Sequence, residues 1–200
     1  MLTKLFNVAR FASQFDVPED LDTSPEHLAP EDRWVLAEFQ QTMSQVEAAW
    51  TNLDIYTATQ ALKTFGTGLL PSHYLEMVKS RLYDEDKAAA WTLHRMVRDF
   101  LAAFSPVCPF FAHHISNTVY GTSAVDVDAF PDSPLPEVAF GTDEGNRLCG
   151  LSTSLQEFNG QTWAAKKEQG ISLNQPIEGV QVPDELSEFS ATLTRMHQLS

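Results

Sequence analysis

The chain has 200 residues, with 13 basic and 27 acidic side chains and a formal net charge of −14. Hydrophobic residues make up 43% of it, which is enough to bury one good core and excludes a disordered protein. Its apolar runs are far shorter than the roughly 20 residues that cross a bilayer, which excludes a membrane span. The first 15 residues lack the features of a signal peptide, and 2 cysteines make no disulfide framework, so we expect a cytoplasmic protein.

The acidic residues are unevenly distributed. Residues 16–60 hold ten acids and one base, whereas residues 1–15 hold Lys4 and Arg10 and no acid. Such an acidic chain normally repels polyanionic partners. In molar salt, however, the Debye length falls to about 3 Å, so that distant acids no longer oppose short-range phosphate contacts. The composition is typical of halophilic proteins, and we expect a halophilic source, with an acidic mesophilic domain as the alternative.

Helical periodicity dominates the first 120 residues. Apolar side chains recur at steps of three and four, most clearly at Leu36, Phe39, Met43, Val46 and Trp50. The predicted helices cover residues 2–15, 30–53, 53–65, 71–83, 86–104 and 109–121. Gly66 and Gly68 are expected to separate two of them, and residues 16–30 to form a surface loop.

The pattern changes after Gly121. The predicted elements are a strand over 124–130, a proline-containing linker, a helix over 142–167, a strand over 179–182 and a helix from 184 to the end. Gly150 and Gly160 weaken the first of these helices. The sequence therefore predicts a mainly α fold, with a helical bundle over 1–121 and a small C-terminal α/β appendage over 122–200.

Catalytic and metal-binding patterns are not found in the sequence. It contains none of the common nucleotide-binding, hydrolase or zinc-protease strings. The neighbouring His113 and His114 point about 100° apart on a helix and do not share a face. We therefore expect no catalytic site and no metal site. A binding surface remains, and Arg95 and Arg98, three residues apart, either add positive charge to it, pair with local acids or only face the solvent.

Several strings resemble one family. Residues 4–11, KLFNVARF, resemble the K-L-W/Y-N-A-x-R-F element that opens the anticodon-binding domain of class I valyl-tRNA synthetases. Further similar strings follow in the family's order, namely DRWVL at 32–36, HYLEMVKSRLY at 73–83, PVCPF at 106–110, residues 123–131, and KKEQGISLN at 166–174. The last string is similar to the archaeal type. Isoleucyl and leucyl enzymes are more loosely similar.

The resemblance implies a helical bundle that grips the anticodon stem-loop of tRNA(Val). Carried over motif by motif, it implies phosphate contacts from Lys4 and, more weakly, Arg10 and Lys79, stacking or packing on an anticodon base by Phe11, a pocket wall from Leu75, and a base-amino acceptor in Glu76. RNA loops are read in this way by other proteins, through stacking on aromatic side chains and hydrogen bonds to unpaired bases.

The family's catalytic HIGH and KMSKS strings are missing from this chain. The resemblance therefore implies that ATP, Mg²⁺ and aminoacylation belong to a catalytic domain of the parent enzyme, which would be a partner of this chain. We expect neither a DNA partner nor a cofactor here. Two alternatives stay open: a helical protein-interaction scaffold of the same ancestry without RNA binding, and the equivalent domain of an isoleucyl-tRNA synthetase.

Overall fold

The computed structural model describes residues 1–124, 131, 133 and 135–200. Its α-helices are α1 (Leu2–Ala12), α2 (Pro30–Thr51), α3 (Ile55–Thr64), α4 (Leu75–Tyr83), α5 (Lys87–Phe104), α6 (Pro109–Tyr120), α7 (Asp143–Gly150), α8 (Ser152–Glu168) and α9 (Ser190–His197). A π-helix, Phe65–Tyr74, joins α3 to α4, and short 3-10 helices cover Pro136–Val138 and Asp184–Phe189. The predicted mainly α fold is confirmed.

The core forms around α2 and α5. Helix α5 packs against α1, α2, α4 and α6, while α2 also packs against α3 and α7. Trp34 and Phe39 of α2 and Leu93 and Met96 of α5 are fully buried. Each such side chain contributes about 1.5–3 kcal/mol through burial. The apolar spacing that predicts these two helices is therefore the spacing of their buried faces.

The chain does not break between α3 and α4. The π-helix continues directly from α3 and passes directly into α4, so the predicted separation at Gly66 and Gly68 is wrong. A Cβ atom at Gly66 would lie 2.7 Å from the ring of Phe100 and 2.8 Å from a methyl group of Leu5. Gly66 therefore serves the close approach of α1 and α5 to the π-helix.

The C-terminal part packs directly on the bundle. The indole N–H of Trp34 donates to Ser152 Oγ at 2.8 Å, and Thr192 Oγ1 donates to Glu31 Oε1 at 3.0 Å. The division of the chain into two domains stays a prediction.

Two predicted strands have different outcomes. All but the first residue of the strand expected at 124–130 lies outside the described residues. The strand expected at 179–182 does not form; Ile177 pairs with Leu199 in an isolated parallel bridge instead. A strand is stable only with a partner, and the described part of the chain holds none beside residues 179–182.

Two helix boundaries also differ from the prediction. Helix α1 ends at Ala12 because the side chains of Ser13 and Gln14 bond to the carbonyl oxygen of Arg10, at 3.0 and 3.4 Å. Gly150 ends α7, whereas Gly160 lies inside α8 without interrupting it. A helical glycine costs about 1 kcal/mol relative to alanine, which the packing of α8 outweighs.

A buried ion cluster fixes α4 to the start of α2. Arg81 binds Glu31 at 2.9 Å, Asp32 at 2.8 Å and Asp86 at 2.8 Å, and the Tyr74 hydroxyl donates to Asp32 at 2.8 Å. Burial raises the pKa of the Asp32 carboxyl, although its hydrogen bond with Arg81 opposes this. The cluster sets the orientation of α4 and hence of its exposed face.

Candidate nucleic-acid interface

Helix α1 packs against the π-helix and contacts the end of α4. At its beginning, Lys4 Nζ donates to the main-chain oxygen of Thr67 at 3.1 Å. Near its end, the ring of Phe11 packs edge-on against that of Tyr83, with the centroids 6.4 Å apart. The earlier residue of α1 contacts the earlier residue of the π-helix and α4 segment, and the later residue contacts the later one. The two segments therefore run in the same direction. The structure thus brings the two predicted contact segments together on the molecule.

Helical spacing places further site residues on this surface. Lys4 and Phe11 are seven residues apart, so they lie on one side of α1, about 10 Å apart along its axis. Glu76 and Tyr83 have the same spacing on α4. Glu76 therefore lies on the same face of α4 as Tyr83, the residue that contacts Phe11.

Three aromatic rings close one end of this surface. Phe11 and Phe15 have their centroids 5.1 Å apart, and Phe15 and Tyr83 are 5.7 Å apart. Phe11 is half-buried, whereas Tyr83 is 60% exposed. Sequence reasoning did not select Phe15 or Tyr83. The spacing of four between Phe11 and Phe15 was the local signal for part of this aromatic cluster.

The predicted residues of α4 differ in accessibility. Glu76 and Lys79 are about half exposed, and their side chains lie 3.8 Å apart in an ion pair. Such surface pairs are worth about 0–1 kcal/mol, so the Glu76 carboxylate can exchange this contact for another. Leu75 is 8% exposed and belongs to the core, so it offers little surface as a pocket wall.

The positive charges near this surface are of two kinds. Lys4 and Arg10 are exposed and form no ion pair with any residue that the structure describes. Arg95 and Arg98, in contrast, bind Asp99, and Arg98 also binds Asp22 at 2.8 Å. Of the alternatives for these two arginines, the structure therefore shows pairing with acids and not free charge on the binding surface.

One string that carried the resemblance has a structural role. Lys166 is buried, and its ammonium group donates to the main-chain oxygens of Leu173 and Gln175 at 2.6 and 2.7 Å. These bonds fold the segment after α8 back onto the helix. Lys166 thus fixes the KKEQGISLN string in its conformation.

A second buried polar cluster joins the π-helix to α8 and α9. The Asn159 side chain donates to His73 Nδ1 at 3.2 Å and accepts from His197 Nε2 at 2.7 Å, and Trp163 packs against both imidazoles. Burial, and then the charge of Lys166, lowers the pKa of His197 to about 4. Burial also lowers the pKa of His73. Both rings are held neutral at physiological pH.

The described residues form neither a metal site nor a membrane-spanning helix. Nowhere in the described part do three or more His, Cys, Asp or Glu side chains come together as a metal site would require. His113 bonds to Ser123 Oγ at 3.0 Å. None of the described helices has both the length and the apolar character of a membrane span.

Comparisons with known proteins place this chain in a family. The family described as "Anticodon-binding domain of tRNA ligase" matches residues 32–182. The chain is 33% identical to the valine–tRNA ligase of Aeropyrum pernix, over 98% of this chain and 24% of that protein. It is 32% identical to the valine–tRNA ligase of Pyrobaculum aerophilum, over 100% and 24%, and 28% identical to that of Haloarcula marismortui, over 98% and 21%.

The matched regions cover most of this chain but only a small part of its relatives. The chain spans about a quarter of the length of the first two relatives, whereas the family match covers most of the chain itself. The chain therefore belongs to the family of anticodon-binding domains of tRNA ligases.

Proposed function

We propose that this chain recognises the anticodon stem-loop of tRNA(Val) as the anticodon-binding part of a valine–tRNA ligase. The observation that carries the proposal is the contact of α1 with the π-helix and with Tyr83 at the end of α4, which sets an exposed lysine and an aromatic cluster along one helix. The similarity to valine–tRNA ligases supports valine as the amino acid.

The phosphate contacts would come from the exposed cations. The Lys4 ammonium group uses one of its three donors on Thr67 and keeps two for a phosphate oxygen. Arg10, next to Phe11, would offer its guanidinium fork to a neighbouring phosphate. Lys79 would have to leave its ion pair with Glu76, so its contribution would be smaller.

Base recognition would come from the aromatic cluster and α4. Stacking of an unpaired base on Phe11, beside the exposed Tyr83, contributes about 1–3 kcal/mol per base in proteins that bind single strands. Glu76 would accept a hydrogen bond from a base amino group. Leu75 would contribute the small exposed part of its side chain to the wall of that pocket.

The cofactors, catalytic domain and location of the parent enzyme are also proposed. ATP and Mg²⁺ would bind to its catalytic domain, which would pack with this chain in the cytoplasm.

The net charge of −14 also fits a halophilic source, because salt screens the repulsion between surface carboxylates. The free energy of unfolding should then rise steadily as KCl is raised from 0.1 M to 2 M.

Fluorescence anisotropy with a labelled anticodon stem-loop tests the proposal. The wild-type chain should bind the tRNA(Val) stem-loop, and prefer it to the same stem carrying an isoleucine anticodon. Three phosphate contacts should make log K fall with log[KCl] at a slope of about −2 to −3.

Two results would contradict the proposal in different ways. A folded chain that binds no stem-loop at any KCl concentration between 0.1 M and 2 M would favour the protein-interaction scaffold. Preference for the isoleucine anticodon would keep RNA binding but assign the chain to an isoleucyl enzyme.

A further inference from the structure

A polar stripe on α3 lies next to Lys4. Tyr56, Gln60, Lys63 and Thr67 are spaced by four, three and four residues, so they follow one face of the continuous α3 and π-helix segment. Thr67 Oγ1 donates to the main-chain oxygen of Lys63 at 2.8 Å, and the Thr67 oxygen accepts from Lys4 Nζ. Lys63 therefore lies one turn from the position where Lys4 is anchored.

Lys63 has no charged partner among the described residues, as is also true of Arg10, Lys87, Lys167 and Arg195, and it lies one turn from Thr67, which accepts from Lys4. Within the described residues, ion pairs engage Arg33, Lys79, Arg81, Arg95, Arg98 and Arg147. Lys63 and Lys4 are exposed and form none there. An anion that reaches both ammonium groups is attracted to each of them. This pair stands out on a chain whose net charge is −14.

The same stripe ends in an exposed aromatic ring. Tyr56 is 74% exposed, and its hydroxyl accepts from Gln60 Nε2 at 3.1 Å, which restrains the ring along α3. The nearest acid in sequence, Asp54, is engaged as the N-cap of α3 through the N–H of Thr57. Tyr56 and Lys63 are seven residues apart, which is about 10 Å along the helix.

We infer that the RNA-binding surface extends from α1 onto α3, where Lys63 binds a backbone phosphate together with Lys4 and Tyr56 stacks on an unpaired base. This inference rests on the proposed function, because it extends the same surface to a second set of contacts. Single-stranded nucleic acids are bound by cations that follow the backbone and by aromatic rings on which bases stack, and Lys63 and Tyr56 offer one of each about 10 Å apart along one helix.

The experiment compares full-length variants in binding to a labelled tRNA(Val) transcript between 0.05 and 0.4 M KCl. Lys63→Gln should weaken binding about threefold to tenfold at the lowest salt and reduce the slope of log K against log[KCl] by about one. Tyr56→Ala should weaken binding about fivefold or more and leave that slope unchanged. Circular dichroism checks that each variant is folded.

Lys167→Gln is the matched control. It removes the same charge from an exposed lysine at the end of α8 and should bind as the wild type does. Lys63→Arg should retain the wild-type salt slope, because it keeps the cation.

The results separate this inference from the proposed function. If the wild type binds tRNA and Lys63→Gln behaves like Lys167→Gln, the extension to α3 is wrong and the α1 surface stands alone. If Tyr56→Ala binds as tightly as the wild type, the stacking contact is refuted. If the wild type binds no tRNA, the proposed function fails and the extension fails with it.

Discussion

The ring of Phe11 stands edge-on to that of Tyr83, with 6.4 Å between their centroids. Phe11 lies in the last turn of α1 and Tyr83 is the last residue of α4, so this contact joins the C-terminal ends of the two helices. The same rings would carry both helix packing and base stacking. A substitution here must therefore be judged by affinity and by stability together.

Phe11→Ala should separate these two roles. We expect the affinity for the anticodon stem-loop to fall at least about fivefold, the loss of one stacked base. Because Phe11 is only half-buried, the free energy of unfolding should fall by about 1–2 kcal/mol, less than the 3–5 kcal/mol of a fully buried phenylalanine. Anisotropy and urea denaturation measure the two quantities.

Phe110→Ala provides the control. Phe110 is 90% exposed on α6, and its removal should change neither quantity. If Phe11→Ala melts the domain, Phe11 is a core residue and its assignment to base stacking is wrong.

Gly66→Ala should destabilise the bundle by about 1–3 kcal/mol, the usual cost of overpacking a core. The added methyl group would lie 2.7 Å from Phe100 and 2.8 Å from Leu5, so α1 or α5 must move away from the π-helix. Urea denaturation should show a lower midpoint with an unchanged slope.

Gly68→Ala, two residues further along the π-helix, is the matched control for Gly66→Ala. No heavy atom lies within 4 Å of a Cβ placed there, so the change should be neutral or stabilising by up to about 1 kcal/mol. Equal losses at both positions would show that the π-helix backbone itself, and not the approach of α1 and α5, requires glycine.

These two glycines also show what the sequence could and could not predict about the fold. The steps of three and four in α2 predict its buried face correctly, because Leu36, Phe39 and Met43 repeat with the helix itself. In the sequence, Gly66 suggests a helix break. Glycine is in fact required there because Leu5 and Phe100, which are distant in sequence, approach its backbone closely. Local patterns carry no information on such an approach.

In the candidate site, too, the sequence identifies some residues, whereas their partners appear only in the tertiary structure. The string around Lys4 and Phe11 points to these residues, but their partners Thr67 and Tyr83 come from another part of the chain. Arg98 looks available in the sequence, yet it binds Asp22, 76 residues away. Whether a cation is free or paired depends on tertiary contacts, which helix periodicity does not contain.

Arg81→Met should destabilise the fold by about 3–5 kcal/mol, more than the substitutions of Phe11 and Gly66. It leaves the buried carboxylates of Glu31 and Asp32 without their cation, and they are 3% and 0% exposed. Thermal and urea denaturation should both show the loss, and the orientation of α4 should loosen with it.

Lys79→Gln on the same helix should cost less than about 1 kcal/mol, because its ion pair with Glu76 is half exposed. The double variant Asp32→Asn with Arg81→Met should recover part of the loss by removing one uncompensated charge. No recovery would mean that Arg81 acts through packing and not through charge.

His197 should make the stability depend on pH. Its pKa is lowered to about 4 in the folded chain, against 6.5 ordinarily, chiefly by burial. Between pH 6.5 and 4 the unfolded chain therefore binds a proton at this residue that the folded chain does not. The free energy of unfolding should fall as the pH falls through this window, by up to about 1.4 kcal/mol per pH unit.

His197→Gln isolates this contribution in urea denaturation at a series of pH values. The variant should be less stable at pH 7, because the bond to Asn159 is disturbed, but should lose less stability between pH 6.5 and 4. His27→Gln, at a side chain that is 92% exposed, should follow the wild-type profile. Parallel profiles for His197→Gln and the wild type would show that His197 takes up its proton within the fold, and that other groups cause the acid sensitivity.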